Sequence, residues 1–71
     1  MPTPTMYACA STTILAIGYD EPSQELHIAF TSGTYVYHKV PQEVYDEFMN
    51  AESIGKFFHS RIKKVYAGTK A

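Results

Sequence analysis

With 71 residues, a net charge of −1 and 45% hydrophobic residues, the chain has the composition of one small folded domain rather than a disordered segment. Its single cysteine excludes an internal disulfide framework, and no apolar run is long enough for a membrane span. Because the N-terminus lacks a charged region followed by an apolar stretch, we expect no secretory signal and a cytoplasmic location.

Residues 1–10 are expected to be a loose segment, residues 11–66 the folded domain and residues 67–71 a frayed tail. A domain of this size buries a limited share of its surface, so a homo-oligomer would be a natural way to add burial. All seven acidic residues lie at or before Glu52, whereas every cation except Lys39 follows it. This asymmetry predicts a cationic patch that attracts anions although the whole chain is nearly neutral.

Three strands are predicted in the first half of the chain. Residues 11–19 are apolar and β-branched, and strict alternation would put Leu15 and Ile17 on one face. Residues 25–30 alternate cleanly, which is typical of a half-buried antiparallel strand. Residues 34–38 form the third strand, in which Tyr35 and Tyr37 share a face. Short links between the strands predict a meander.

Two helices are predicted to follow. Pro41 is favourable at a helix start, and the helix should end at Asn50 or Ala51. Ser53 is a candidate N-cap for a second helix. Apolar residues recur four apart along this second helix at Ile54, Phe58, Ile62 and Tyr66. The fold class is therefore predicted as α+β, a three-stranded antiparallel meander followed by two helices packed on one face.

An ordered series of residues extends over residues 11–66. It comprises Ser11, Ile14, Ile17, Gly18, Tyr19, Asp20, Leu26, Ile28, Phe30, Gly33, Tyr35, Val36, Tyr37, Val40, Pro41, Val44, Tyr45, Ala51, Ser53, Gly55, Phe57, Phe58, His59, Ile62 and Tyr66. This series resembles the KTSC domain family, which is named for its place at the C-terminus of some lysyl-tRNA synthetases. Stand-alone members occur in bacteria and phages. The resemblance implies a domain of unknown role, with RNA binding suggested by the link to a synthetase.

Tyr35 and Tyr37 are candidate ligand-binding residues. Two phenol rings on one strand face either stack on a nucleobase or pack beneath the helices. The alternation of side chains along the strand does not show whether the rings are exposed or buried. If the rings are buried, their hydroxyls need partners and can still line a pocket.

The second helix supplies the other candidates. Phe57, His59, Arg61 and Lys63 are predicted to bind the ligand, with Arg61 gripping phosphate through two bonds and Lys63 acting as a point charge. Ser53, Gly55 and Lys56 are candidate phosphate-binding residues at the start of the helix. The alternatives are a solvated basic helix face and an ordinary cap followed by a permissive glycine.

No catalytic residue, metal site or cofactor is predicted. Cys9 has no local partner, and His27, His38 and His59 lack ligand spacing, although the first two could meet across the sheet. We expect a non-catalytic module that binds RNA or a nucleotide. Two alternatives are a phage-type protein that sequesters a nucleotide signal of host defence and a protein-interaction module that pairs through strand 34–38.

Overall fold

The computed structural model describes residues 6–8 and 13–70. They form an α+β domain with one antiparallel sheet of five strands in the order β1-β2-β3-β4-β5 and two helices. In chain order the elements are β1 (Tyr7–Ala8), β2 (Ile14–Asp20), β3 (Glu25–Phe30), β4 (Gly33–Tyr37), α1 (Gln42–Met49), α2 (Ile54–Phe57), a π-helical segment (Phe58–Ile62) and β5 (Gly68–Lys70).

The predicted meander is present as β2, β3 and β4. The period-2 pattern of β3 places Leu26 and Ile28 on the buried face, where neither has any exposed surface. The tight link to β4 ends at Gly33, whose φ of +143° is strained for a residue with a side chain. Antiparallel pairing then sets Tyr35 opposite Ile28 and Tyr37 opposite Leu26.

A β-bulge in β2 changes the predicted faces of this strand. The register moves between Ile14 and Ala16, which pair with Phe30 and Ala29, so Leu15 is the extra residue. Ile14 and Ile17 are consequently both buried, whereas Leu15 remains half exposed. The expectation that Leu15 shares a face with Ile17 was wrong because the bulge interrupts strict alternation.

The three-strand prediction undercounted the sheet. Tyr7–Ala8 pair with β2, and Gly68–Lys70 pair with β4, within segments expected to be loose or frayed. The alternative of a protein-interaction module took strand 34–38 as an open edge, but β5 pairs with this strand at Tyr35–Tyr37. These short outer strands lack the long alternating pattern that reveals β3, so sequence periodicity could not find them.

A carboxylate links two histidines on the other face of β3. Glu25 contacts the His27 ring at 3.6 Å and the His38 ring at 3.5 Å. His38 Nε2 also lies 2.8 Å from Thr69 Oγ1. The two histidines therefore meet through Glu25, and His38 connects the end of the meander to β5.

Both helices begin near the predicted positions. Pro41 precedes the first turn of α1, and Asn50 terminates that helix. Ser53 caps α2, since its Oγ accepts a hydrogen bond from the Lys56 amide at 3.3 Å. No helix within the described ranges is long and apolar enough to cross a bilayer.

The core lies between the sheet and the helices. Its buried members come from β2, β3, β4, the segment before α1, α1 and the π-helical segment, and they are Ile14, Ile17, Leu26, Ile28, Tyr37, Val40, Phe48, Phe58 and Ile62. Ile14, Tyr37 and Phe58 belong to the core and also line the candidate site described next.

Candidate functional site

A pocket of about 280 Å³ lies between β4 and the second helix. It brings together Tyr35, Tyr37, Gly55, His59 and Lys63, five of the residues predicted from the sequence to bind a ligand. Thr13, Ile14, Phe30, Ser32 and Phe58 complete the described lining.

Edge-to-face aromatic packing forms the inner wall. Phe58 packs against Phe30 at 5.1 Å and Tyr37 at 5.5 Å between ring centroids, and Phe30 packs against Tyr35 at 5.6 Å. Tyr37 is 7% exposed, so its ring belongs to the core. Tyr35 is only half-buried and offers more surface to a ligand. The two rings share a face as predicted, but they are not equally accessible.

The Tyr37 ring lies in the space left by the missing side chain of Gly68. Gly68 is the cross-strand partner of Tyr37, and a Cβ added there would lie 2.6 Å from the ring. An aromatic ring lying over a strand glycine is a recognised means of stabilising that strand. The orientation of Tyr37 thus depends on β5 as well as on Phe58.

The π-helical turn places two basic side chains at the pocket. The Lys63 amide donates to the Phe58 carbonyl at 2.8 Å, an i→i+5 bond. In a regular α-helix, residue 63 would lie roughly 140° around the axis from residue 58. The wider turn brings residue 63 closer in angle to residue 58, and Phe58, His59 and Lys63 all line the same pocket.

Arg61 and Phe57 do not line this pocket. Arg61 Nη2 lies 3.1 Å from Glu47 Oε2, and its guanidinium carbon lies 5.3 Å from the centroid of the Phe57 ring. Phe57 in turn stacks on Phe48 of α1. A single site that uses both Tyr37 and Arg61 is therefore not formed, because Arg61 is directed towards α1.

The predicted phosphate site at the helix start is also divided. Ser53 serves as the N-cap, and Lys56 is exposed without lining the pocket. Gly55 does line it, and apart from its chain neighbours and the backbone of its own helix no atom lies within 4 Å of where its Cβ would be. The glycine therefore leaves open space beside His59 and Lys63.

Hydroxyl groups add donors and acceptors that sequence reasoning missed. Thr13 and Ser32 line the pocket from the start of β2 and the β3–β4 turn. Burial, and secondarily the neighbouring Tyr35, raise the pKa of Tyr37, so this phenol stays neutral at physiological pH. None of the described lining residues is an aspartate or glutamate. Aromatic surface, hydroxyls and positive charge thus meet in one small volume.

Comparison with known families gives a match to the KTSC domain model over residues 10–66. A crystal structure of a KTSC domain protein from Yersinia pestis superposes with a TM-score of 0.93 at 37% identity, covering 97% of this chain and 99% of that one.

Sequence relatives include free-standing proteins and a segment of a larger one. The chain is 44% identical over 59 residues to a protein of Tsukamurella paurometabola, covering 82% of this chain and 88% of the relative. It is 37% identical over 57 residues to an uncharacterized protein of Stutzerimonas stutzeri, covering 79% and 80%. A lysine–tRNA ligase of a Nostoc species is 45% identical over 51 residues, which cover 70% of this chain but only 9% of the ligase.

Proposed function

The chain belongs to the KTSC domain family, and we propose that it is a non-catalytic module that binds a nucleotide, either free or exposed in RNA. The observation that carries the proposal is the meeting of Tyr35, His59 and Lys63 at one pocket without a lining carboxylate among the described residues. A base would contact the aromatic wall and the hydroxyls, while phosphate would lie beside the two basic side chains.

The size of the pocket favours a single nucleotide over a long strand. Its volume of about 280 Å³ is near the lower end for small-molecule sites, roughly 300–1,000 Å³. Extended RNA is normally held by a long positive groove, whereas this chain has a net charge of −1. An RNA ligand would therefore enter through one unstacked nucleotide.

The burial of Tyr37 assigns different roles to the two tyrosines. Tyr35 would offer part of its ring, because it is half-buried, whereas the sealed Tyr37 ring would contribute through its edge and hydroxyl. Neutral phenols can donate to the acceptor atoms of a base. This division replaces the simpler expectation of two rings forming one stacking platform.

Phosphate binding is assigned to Lys63 and His59 rather than to Arg61. Arg61 already pairs with Glu47, and both side chains are about half exposed. Lys63 and His59 are both exposed residues that line the pocket.

One relative keeps RNA as a possible source of the nucleotide in this proposal. The Nostoc relative is named a lysine–tRNA ligase, and a segment of it resembles this chain. The second source is a free signalling nucleotide, which the small pocket volume favours. A protein that sequesters such a signal would bind the mononucleotide with an affinity at least equal to its affinity for RNA.

The test is a titration of the protein with the four ribonucleoside monophosphates and with a short single-stranded RNA. Binding is monitored by tyrosine fluorescence and NMR. Lys63→Gln should weaken nucleotide binding about tenfold, corresponding to one lost charged contact. Lys64→Gln is the matched control, since Lys64 is exposed but does not line the pocket. It should change the affinity less than about twofold.

Relative affinity separates the two ligand sources. RNA that enters through one unstacked nucleotide contacts few phosphates, so its affinity should fall little between about 50 and 200 mM salt, as for a monophosphate. Clearly tighter binding of RNA than of every monophosphate would favour the RNA form of the proposal. Failure of every nucleotide and of RNA to bind at about 10 mM would refute both forms.

A further inference from the structure

A second pocket, of about 400 Å³, lies where β2, the β2–β3 turn and α1 meet. Its described lining residues include three tyrosines, Tyr7, Tyr19 and Tyr45, and two acidic residues, Asp20 and Glu21. None of these residues lines the pocket described above, so the two cavities are chemically and spatially distinct.

The aromatic part of this pocket is already organised. The Tyr19 and Tyr45 rings stack with centroids 4.8 Å apart and planes inclined by 12°. The Tyr19 hydroxyl donates to the Val40 carbonyl at 2.5 Å, which joins the sheet to the segment before α1. Tyr7 adds a third ring from β1 and is 54% exposed. A ligand would therefore contact the stacked rings of Tyr19 and Tyr45 and the more exposed ring of Tyr7.

The electrostatic character of this pocket is negative. Asp20 and Glu21 line it, and no described lining residue is a lysine, arginine or histidine. Burial is the largest cause of the raised pKa of Tyr19, and the charges of Glu21, Asp46 and Asp20 raise it further. Tyr19 consequently remains a neutral phenol, and three carboxylates are close enough to act on this site.

We propose that the second pocket binds a small organic cation, an alkylammonium group held by the tyrosine rings and the carboxylates of Asp20 and Glu21. Aromatic ring faces attract a cation within about 6 Å, most strongly when the cation carries little water. A bare metal ion is a poorer match, because two carboxylates beside phenol rings supply few ligands. The described residues contain no group of three or more histidine, cysteine, aspartate or glutamate side chains suited to a metal.

The ammonium group has two chemical sources, a free amine and the side chain of a lysine in a peptide. Both would place the same charged group between the rings and the carboxylates. The free amine would occupy the pocket alone, whereas a lysine side chain would bring its peptide against the surface around the pocket.

The experiment is an NMR titration of the intact protein with tetramethylammonium chloride, and with tert-butanol as a neutral probe of similar shape, at constant ionic strength. Tetramethylammonium should shift the amide signals of Tyr19, Asp20 and Tyr45 and saturate below about 50 mM. Its affinity should exceed that of tert-butanol at least about fivefold.

Variants test the contribution of the carboxylates. Glu21→Gln should weaken tetramethylammonium binding about three- to tenfold. Glu43→Gln is the matched control, because Glu43 is an exposed residue of α1 outside the pocket, and it should change binding less than about twofold. Glu21 is itself exposed, so its neutralisation should leave the fold intact.

Putrescine and N-acetyl-lysine methylamide separate the two sources. Tighter binding of putrescine supports a free amine, and tighter binding of the lysine derivative supports a peptide side chain. The proposal is overturned if no ammonium probe saturates, if tert-butanol binds equally well, or if Glu21→Gln has no effect. Nucleotide binding at the first pocket does not enter any of these outcomes.

Discussion

Replacing Gly68 by alanine tests whether β5 is a structural part of this domain. The new Cβ would lie 2.6, 2.8 and 3.0 Å from three adjacent atoms of the Tyr37 ring. Carbon atoms in comfortable contact are about 3.5–4.0 Å apart, so the shortest contact is too close by roughly 1 Å. The ring cannot retreat freely, since it is 7% exposed and packs on Phe58.

The expected effect is a loss of stability. Overpacking of this kind costs about 1–3 kcal/mol. Replacing glycine also restricts the unfolded chain, which offsets about 0.4–1 kcal/mol. Since Gly68 is not among the glycines with positive φ, alanine meets no backbone penalty. The net loss should be about 1–2 kcal/mol, which lowers the Tm of a domain of this size by about 4–15 °C.

Thermal and urea denaturation measure this effect, with Gly55→Ala as the matched control. Nothing lies within 4 Å of the Cβ position of Gly55 in α2, so alanine there should stabilise the domain by about 0.5–1 kcal/mol. The two glycine substitutions should therefore have opposite signs.

A double-mutant cycle identifies the cause. In a Tyr37→Leu background the narrower side chain should accommodate the methyl group that Gly68→Ala adds, giving a coupling energy of at least about 1 kcal/mol. A Gly68→Ala protein as stable as the wild type would contradict the close packing of β5 on Tyr37. Equal destabilisation in both backgrounds would assign the effect to a contact other than the ring.

Three further outcomes are expected, each measured by urea denaturation. Burial first, and then Tyr35, raise the pKa of Tyr37 above 10.0. The neutral phenol therefore contributes fully to the free energy of unfolding below pH 10.0, and this contribution is lost as the pH rises towards the folded-state pKa. The stability of wild type should thus fall more steeply above pH 10.0 than that of Tyr37→Phe, by at most about 1.4 kcal/mol per pH unit; parallel curves would disprove this. Arg61→Gln should cost less than about 1 kcal/mol because its pair with Glu47 is exposed, and a larger loss would mean that the pair is structurally essential. Leu15→Thr should alter stability by less than about 0.5 kcal/mol, whereas Ile17→Ala should cost about 2–5 kcal/mol; similar losses would contradict the bulge.

The meander and both helix starts were predictable from local patterns. Alternation in residues 25–30 identified the buried face of β3, and the polar Ser53 before an apolar stripe identified the cap of α2. Each pattern reflects an interaction within a few residues, such as a cap bond or a pleated strand. The placement of the Tyr35 and Tyr37 side chains on the same face of β4 followed from the same strand geometry.

The composition of the pocket was predictable only in part. Arg61 and Lys63 were predicted to bind one ligand because both are basic residues that follow two aromatic ones, but Lys63 lines the pocket while Arg61 contacts Glu47. Thr13 and Ser32 are distant in sequence and carry no motif, so only the fold brings them together. Sequence spacing alone does not specify which helix face meets the sheet.

By itself, the sequence determined the KTSC resemblance, the α+β class and the shared face of the two tyrosines, because these depend on local order and periodicity. Tertiary structure alone decided that Tyr37 is sealed while Tyr35 is accessible, and that strand 34–38 is covered. The physical reason is that burial and edge pairing depend on distant partners. Phe58 and Gly68 enclose the Tyr37 ring from different elements of the chain, and no local pattern encodes their approach.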